Sequence, residues 1–265
     1  MNQLQRQFLG YLKTPLLWQK ELNGLNQLEL PAIEDPVLNI TIPDNLRLGH
    51  LVEHFVAQEF NEHPTVKILD KNVQVNLNNL TLGEFDYFIR QDQQIVHVEV
   101  SYKFYLFDSS VGETPINHWI GPNRKDSLSA KLQKVKDKQF PLLHHPAAAR
   151  QIKEAGLSEE HVIQRTYIKG QLFIPEEMNP KEIELNPKAI AGTYMRINQL
   201  DGLTESKIHL PKKHDWLTTP HTNVDWLATT TASQLIQEKL TNEQAPLIWI
   251  KNKQGKMKKA FVVWW

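Results

Sequence analysis

Gly83 to Leu106, GEFDYFIRQDQQIVHVEVSYKFYL, constrains this chain more than any other stretch, because two runs of alternating apolar and polar side chains flank a short polar turn. Successive side chains on a strand point to opposite faces. Ile95, His97, Glu99, Ser101 and Lys103 therefore share one face, and Val96, Val98, Val100, Tyr102, Phe104 and Leu106 share the other, the expected core face. In the preceding run Phe85, Tyr87 and Ile89 point one way and Glu84, Asp86, Phe88 and Arg90 the other. Residues 91–94, QDQQ, are short and polar enough to form the hairpin loop. A loop of two or of four residues centred there gives the same register and sets Asp86 opposite Glu99.

Cross-strand neighbours have Cβ atoms about 5 Å apart, and like charges at that separation destabilise the pair. A proton shared between the carboxylates, an Arg or Lys, or a divalent cation could compensate. Lys103, on the same face, is a candidate for the second. Two carboxylates converging from adjacent strands are also how Mg²⁺ is held, with several waters retained. The plain alternative is a solvated hairpin face that merely carries charge.

The 265 residues suffice for one large domain or two small ones. Lys and Arg number 30, as do Asp and Glu, so an anionic partner must be met by a local basic surface. The absence of cysteine excludes disulfides, zinc-thiolate sites and thiol catalysis. MNQLQRQFLGYLKTPLLW lacks a basic start followed by an apolar run, and no segment approaches 18 consecutive apolar residues. A cytoplasmic protein with no membrane partner is the expectation.

Residues 1–20 predict an amphipathic helix interrupted near Pro15, and 21–43 a connecting stretch. Asp44 or Asn45 is positioned to cap a helix running to about Asn61, with Leu48, Leu51, Val52, Phe55, Val56 and Phe60 as its stripe. Glu53 borders that stripe, about 20° around the helix from Phe60. It suits either an ordinary boundary residue or a carboxylate reaching a half-buried site. Glu59 is nearer the middle, in a last turn where fraying would let it face outward. One or two strands are expected over 66–80, and a helix over Arg124–Gln139. Arg124, Lys125, Lys131, Lys134, Lys136 and Lys138 against Asp126 and Asp137 make that helix the best local basic surface. Strands at 162–174 and 189–197, a helix at 231–240 and a hairpin around Lys253-Gln254-Gly255 complete the reading, with the closing FVVWW buried. The expected organisation is an N-terminal segment 1–43, a core 44–160, and strands and a helix over 161–265 packed on it, all one domain.

The words GEFDYFI, HVEVSYKFYL, WIGPNRKDSLSAKLQKVKDKQFPL, YIKGQLFIP, APLIWIK and FVVWW resemble the bacterial domain-of-unknown-function family 1853, usually placed within the PD-(D/E)XK nuclease superfamily. The resemblance runs from about Gly49 to the last residue. It implies an α/β (α+β) fold, a restriction-endonuclease-like mixed central sheet flanked by helices, with a C-terminal β-rich extension. It further implies Asp86 and Glu99 as metal-binding acids, Glu53 as the helix acid that helps hold the metal through water, and Lys103 as the active-site lysine, all four serving catalysis. The cofactor would be Mg²⁺ or Mn²⁺ and the partner nucleic acid, DNA before RNA. Arg124, Lys125 and Lys131 would follow the phosphate backbone, with Gln139 near the site. The chain departs from the superfamily pattern at Ser101, where the lysine ordinarily falls. Lys103 lies two residues further, about 13 Å along an ideal strand from Glu99. The rival reading is therefore a nuclease-like fold that binds nucleic acid or protein and cuts nothing. A histidine hydrolase is disfavoured, because no GxSxG elbow is present and His97 suits a hydrogen-bonded strand histidine.

Overall fold

A computed structural model describes residues 1–43, 45–154, 156, 161–180, 183–203 and 205–265, and the fold is mixed α/β. In chain order, helix α1 (Gln3–Lys13) precedes a small hairpin, β1 (Glu21–Leu22) and β2 (Leu25–Asn26). Helix α2 (Leu48–Glu62) leads into three long strands, β3 (Val66–Leu77), β4 (Leu80–Gln91) and β5 (Gln94–Phe107). After β6 (Trp119–Ile120) come helix α3 (Leu128–Lys134), continued by a π turn (Val135–Gln139), and helix α4 (Ala149–Glu154). The second half holds β7 (Val162–Pro175), β8 (Ile190–Arg196), β9 (Lys207–His209), β10 (Leu227–Ala228), helix α5 (Thr229–Thr241), β11 (Leu247–Lys251) and β12 (Met257–Val263). Among the described residues, no helix is long and apolar enough to cross a membrane.

Two compact units interleave along the sequence. A hairpin unit comprises Leu16–Tyr102 and Ser129–Lys169; a C-terminal unit comprises Met1–Pro15, Lys103–Leu128 and Gly170–Trp265.

In the hairpin unit, β3, β4 and β5 form an antiparallel meander. The β3–β4 turn places Asn78 and Asn79 at φ +48° and +65°, the left-handed conformation that asparagine tolerates best after glycine. Gln91 pairs with Gln94, so the β4–β5 loop is two residues long, with Asp92 at φ +52°. Val75, Phe85, Phe88, Leu142, Leu143, Ala148 and Ile152 form the local core. The expected division of β5 into a core face and a polar face does not hold. Val96 and Val98 are buried, but so are His97 and Glu99 on the opposite face. Phe85, Phe88 and Phe140 close over His97, with ring centroids 5.0, 5.4 and 5.8 Å away. Helix α2 buries the expected stripe, yet its cap is Arg47 without a side-chain bond. Asn45 sits at φ +61° in the preceding turn, and Asp44 lies outside the described residues. Helix α3 begins at Leu128 rather than Arg124, which adopts φ +55°.

In the C-terminal unit β8 pairs in parallel with β7 and with β12, β11 runs antiparallel to β12 and β9, and β10 closes the order against β9. Ala232, Ile236 and Leu240 of α5 pack on Ile208, Ile248, Ile250, Ala260 and Val262. Phe261, Val262 and Val263 are fully buried, each such side chain contributing about 1.5–3 kcal/mol of transfer free energy. Helix α1 buries Phe8 and Tyr11. At Gly10 a Cβ would meet the Leu217 carbonyl oxygen at 2.1 Å, so only glycine permits this approach.

Candidate active site

Strands β4 and β5 pair rung for rung from Gln91↔Gln94 to Tyr87↔Val98, and the next position in that register belongs to Asp86 and Glu99. There the backbone ladder stops and a side chain takes over: Asp86 Oδ2 accepts from the Val100 N–H at 2.8 Å. The Asp86 and Glu99 carboxyls are hydrogen-bonded to each other, Glu99 fully buried and Asp86 half-buried.

Two further side chains fix Glu99, and two more hold those in turn. His97 Nε2 lies 3.1 Å from Glu99 Oε1, and Gln139 Nε2 donates to Oε2. Gln139 Oε1 in turn accepts from Lys131 Nζ at 3.2 Å. Gln164 Nε2 donates to the Phe140 carbonyl at 2.9 Å and lies 3.1 Å from His97 Nδ1. An amide N–H can only donate, so His97 Nδ1 accepts and the ring proton sits on Nε2, aimed at Glu99. Gln139 ends the π turn, marked by the bond of 2.8 Å from the Phe140 N–H to the Val135 carbonyl. Such single wide turns recur at functional sites.

Burial pushes the Asp86 carboxyl up to about 7, reinforced by the charge of Glu99 and opposed by the Val100 N–H and Lys131. Burial likewise pushes Glu99 up to about 7, opposed by Lys131, by hydrogen bonds from Asp86 and Gln139, and by Lys134. Both carboxyls are thus raised by burial, and the close pair holds a proton between them near neutral pH. His97 is held down to about 4, chiefly by burial, and Asp86 opposes the shift. Its contact with Glu99 is thus a hydrogen bond from a neutral ring.

A family model described as Domain of unknown function (DUF1853) matches residues 6–263. The chain belongs to the DUF1853 family. Asp86, Glu99, Lys131 and Gln139 all fall inside the DUF1853 match. No curated protein and no solved structure matches the chain.

The other expected site residues of this DUF1853 chain lie as follows. Glu53 turns its carboxylate to His50 at 3.4 Å, 46% exposed, while its backbone carbonyl accepts the Tyr87 hydroxyl at 3.0 Å. Glu59 is the buried acid of α2, contrary to the expectation that fraying turns it outward. Its Oε1 accepts from the Tyr167 hydroxyl at 2.7 Å and from Lys169 Nζ at 2.9 Å. Lys103 pairs with Asp126 at 2.8 Å, and Arg124 with Asp108 at 2.8 Å, its guanidinium 4.6 Å over the Trp265 ring. Lys125 is exposed. The residues brought to one point are Asp86, Glu99, Gln139 and Lys131. Sequence reasoning missed Gln164, whose only signal was an amide inside the apolar run VIQRTYI.

Among the described residues, no group of three or more His, Asp or Glu could hold a metal ion. Mg²⁺ needs no such group: one or two carboxylates, with water and substrate oxygens, suffice. Asp86 and Glu99 supply an all-oxygen donor set that suits a hard cation, whereas His97, its Nε2 proton committed to Glu99, is no ligand.

Proposed function

We propose that this DUF1853 protein is a divalent-cation-dependent nuclease that hydrolyses phosphodiester bonds in nucleic acid, DNA before RNA, on a restriction-endonuclease-like fold of the PD-(D/E)XK superfamily. The observation supporting it is the hydrogen-bonded pair of half-buried Asp86 and buried Glu99, with Lys131 acting on both carboxyls. Asp86 and Glu99 would hold Mg²⁺ or Mn²⁺, which when bound polarises a phosphate oxygen and lowers the pKa of water. The rest is done by the protein. Loss of the proton held by the pair to solvent leaves both acids ionised together. His97 and Gln139 each donate to one Glu99 oxygen and keep its carboxylate from rotating. Lys131, at the mouth of this chain of bonds, offsets negative charge developing on a scissile phosphate. The cationic role thus passes from Lys103, engaged by Asp126, to a lysine on the helix.

The test pairs calorimetric titration of MnCl₂ with cleavage of fluorescently labelled DNA in Mg²⁺, for the native chain, Asp86→Asn and Glu99→Gln. Metal uptake and cleavage should vanish together in both variants. Undiminished cleavage by Asp86→Asn sinks the proposal. The engagement of Lys103 by Asp126 favours a second reading, a nuclease-like fold that binds nucleic acid or protein and cuts nothing. That reading requires neither metal uptake nor cleavage.

A further inference from the structure

The C-terminal unit contains a cavity of about 420 Å³ lined by the start of α1, by residues between 209 and 225, and by Trp249. Six buried side-chain polar atoms lack a hydrogen-bond partner among the described residues, and three of them, Thr218 Oγ1, His221 Nδ1 and Trp249 Nε1, belong to residues lining this one cavity. A buried polar group left unmatched costs about 1–3 kcal/mol. Three on residues that line one cavity are tolerated most simply when something polar enters and the side chains turn to meet it. An indole N–H can only donate, so the occupant must present acceptors.

Charge narrows the chemistry. Arg6 and Lys212 bring two permanent cations to the lining, and both His209 and His221 join them. The two imidazoles flank the Trp249 ring at centroid distances of 5.0 and 5.3 Å. Asp215 and Asp225 also line the cavity, and the oxygens of Asp215 already receive Gln3 Nε2 at 2.9 and 2.8 Å and Gln7 Nε2 at 2.7 Å. His209 Nδ1 is likewise committed, to the Asp225 carbonyl at 2.9 Å. Burial, then Arg6, then His209 hold His221 below its ordinary value against the opposing charge of Asp215, which sets these four groups around one space.

We propose that this cavity is a binding site for a phosphate-bearing small molecule, whose phosphate oxygens accept from Arg6, His221, Thr218 and the Trp249 N–H. A carboxylate has two oxygens for this donor set, whereas a phosphate monoester offers three strong acceptors. A volume of about 420 Å³ falls in the range of small-molecule pockets and leaves room beside the rings for an organic moiety. The proposal stands apart from the nuclease reading and needs none of its residues.

Calorimetric titration of the full chain with sodium phosphate, glycerol 3-phosphate and sodium acetate tests it. At least one of the phosphate compounds should bind with a dissociation constant of about 1 mM or tighter, and acetate should not. Binding of glycerol 3-phosphate alone assigns the site to a phosphate ester; equal binding of both assigns it to the phosphate group itself. Trp249→Phe keeps the ring and removes the donor, and Arg6→Gln, at a half-buried helix position, tests the same site without touching the core. Each should weaken binding roughly tenfold or more, the scale of one hydrogen bond to a charged group. Absence of binding by both phosphate compounds, equal affinity for acetate, or unchanged affinity in Arg6→Gln overturns the proposal.

Discussion

Two buried glutamates of the hairpin unit, Glu59 on α2 and Glu99 on β5, are 5% and 0% exposed, yet their surroundings differ in kind. Glu59 meets a cation and a phenol: Lys169 Nζ at 2.9 Å and the Tyr167 hydroxyl at 2.7 Å. Glu99 meets another acid, Asp86, and its remaining partners are the neutral groups of His97 and Gln139. The first arrangement settles its charge within the fold. The second leaves the ionisation of Glu99 dependent on whatever approaches, which is the property a cation-binding carboxylate needs. Burial alone would have ranked the two as equals.

The largest effect expected from this contrast is on activity. Asp86→Asn or Glu99→Gln should lower Mg²⁺-dependent DNA cleavage by about a thousandfold or more, measured as initial rates on labelled substrate. Glu59→Gln, correctly folded, should cleave at a rate close to native. Comparable losses in Glu59→Gln would collapse the distinction between a structural and a reactive acid.

Stability should show the reverse order. Glu59→Leu removes the carboxylate that faces Lys169 in a buried site, and losing one member of such a pair costs roughly 3–5 kcal/mol, readable from urea denaturation. Adding Lys169→Leu should recover most of that loss. Should the single change cost no more than the double, Lys169 is not depending on Glu59.

A smaller effect concerns pH. Asp86 and Glu99 titrate near 7 in the fold against ordinary values of 3.8 and 4.5, so the folded chain binds more protons than the unfolded one between those limits. Stability from this pair is therefore complete below about pH 4 and is lost as pH rises through about 7, by on the order of a few kcal/mol. Melting of the metal-free protein should fall from pH 5 to pH 8, and Glu99→Gln should flatten the curve. Added Mn²⁺ should restore stability at pH 8, where both acids are free to ionise. A melting temperature that instead rises over this interval contradicts the paired-acid arrangement.

How much of this was legible beforehand follows from where each interaction lies in the chain. The Asp86–Glu99 register could be read because the hairpin is local and either symmetric loop gives the same pairing. What covers that face could not be read from spacing: only the family resemblance set Gln139 near the site, since KVKDKQF, read as continuous helix, gives no sign of the π turn that delivers it, and Gln164 comes from β7. Glu59 was misjudged for the same reason, since its partner Lys169 is 110 residues distant. The β1–β2 hairpin was overlooked although Asn23-Gly24 is a strong turn signal, with φ +51° and +78°. Two-residue strands are too short to show a period. The basic surface was visible by composition, but Arg124, counted with it, is engaged by Asp108, as the strand lysine Lys103 is by Asp126, acids that sequence spacing does not pair with them.

Lys131 and Lys103 carry the last and finest comparison. Lys131 lowers the titration of both acids, so Lys131→Met should move the pH window of the pair upward by roughly one unit and depress cleavage at pH 7. Lys103 is engaged with Asp126, the two side chains 33% and 45% exposed, and a solvent-screened pair of that kind contributes about 0–1 kcal/mol. Lys103→Met should thus leave both the melting temperature and the pH window almost unmoved. The decisive readout is the ratio of the two variants' cleavage rates. If Lys103→Met is the slower enzyme, the strand lysine must leave Asp126 during turnover, and the helix lysine serves only to tune the acids.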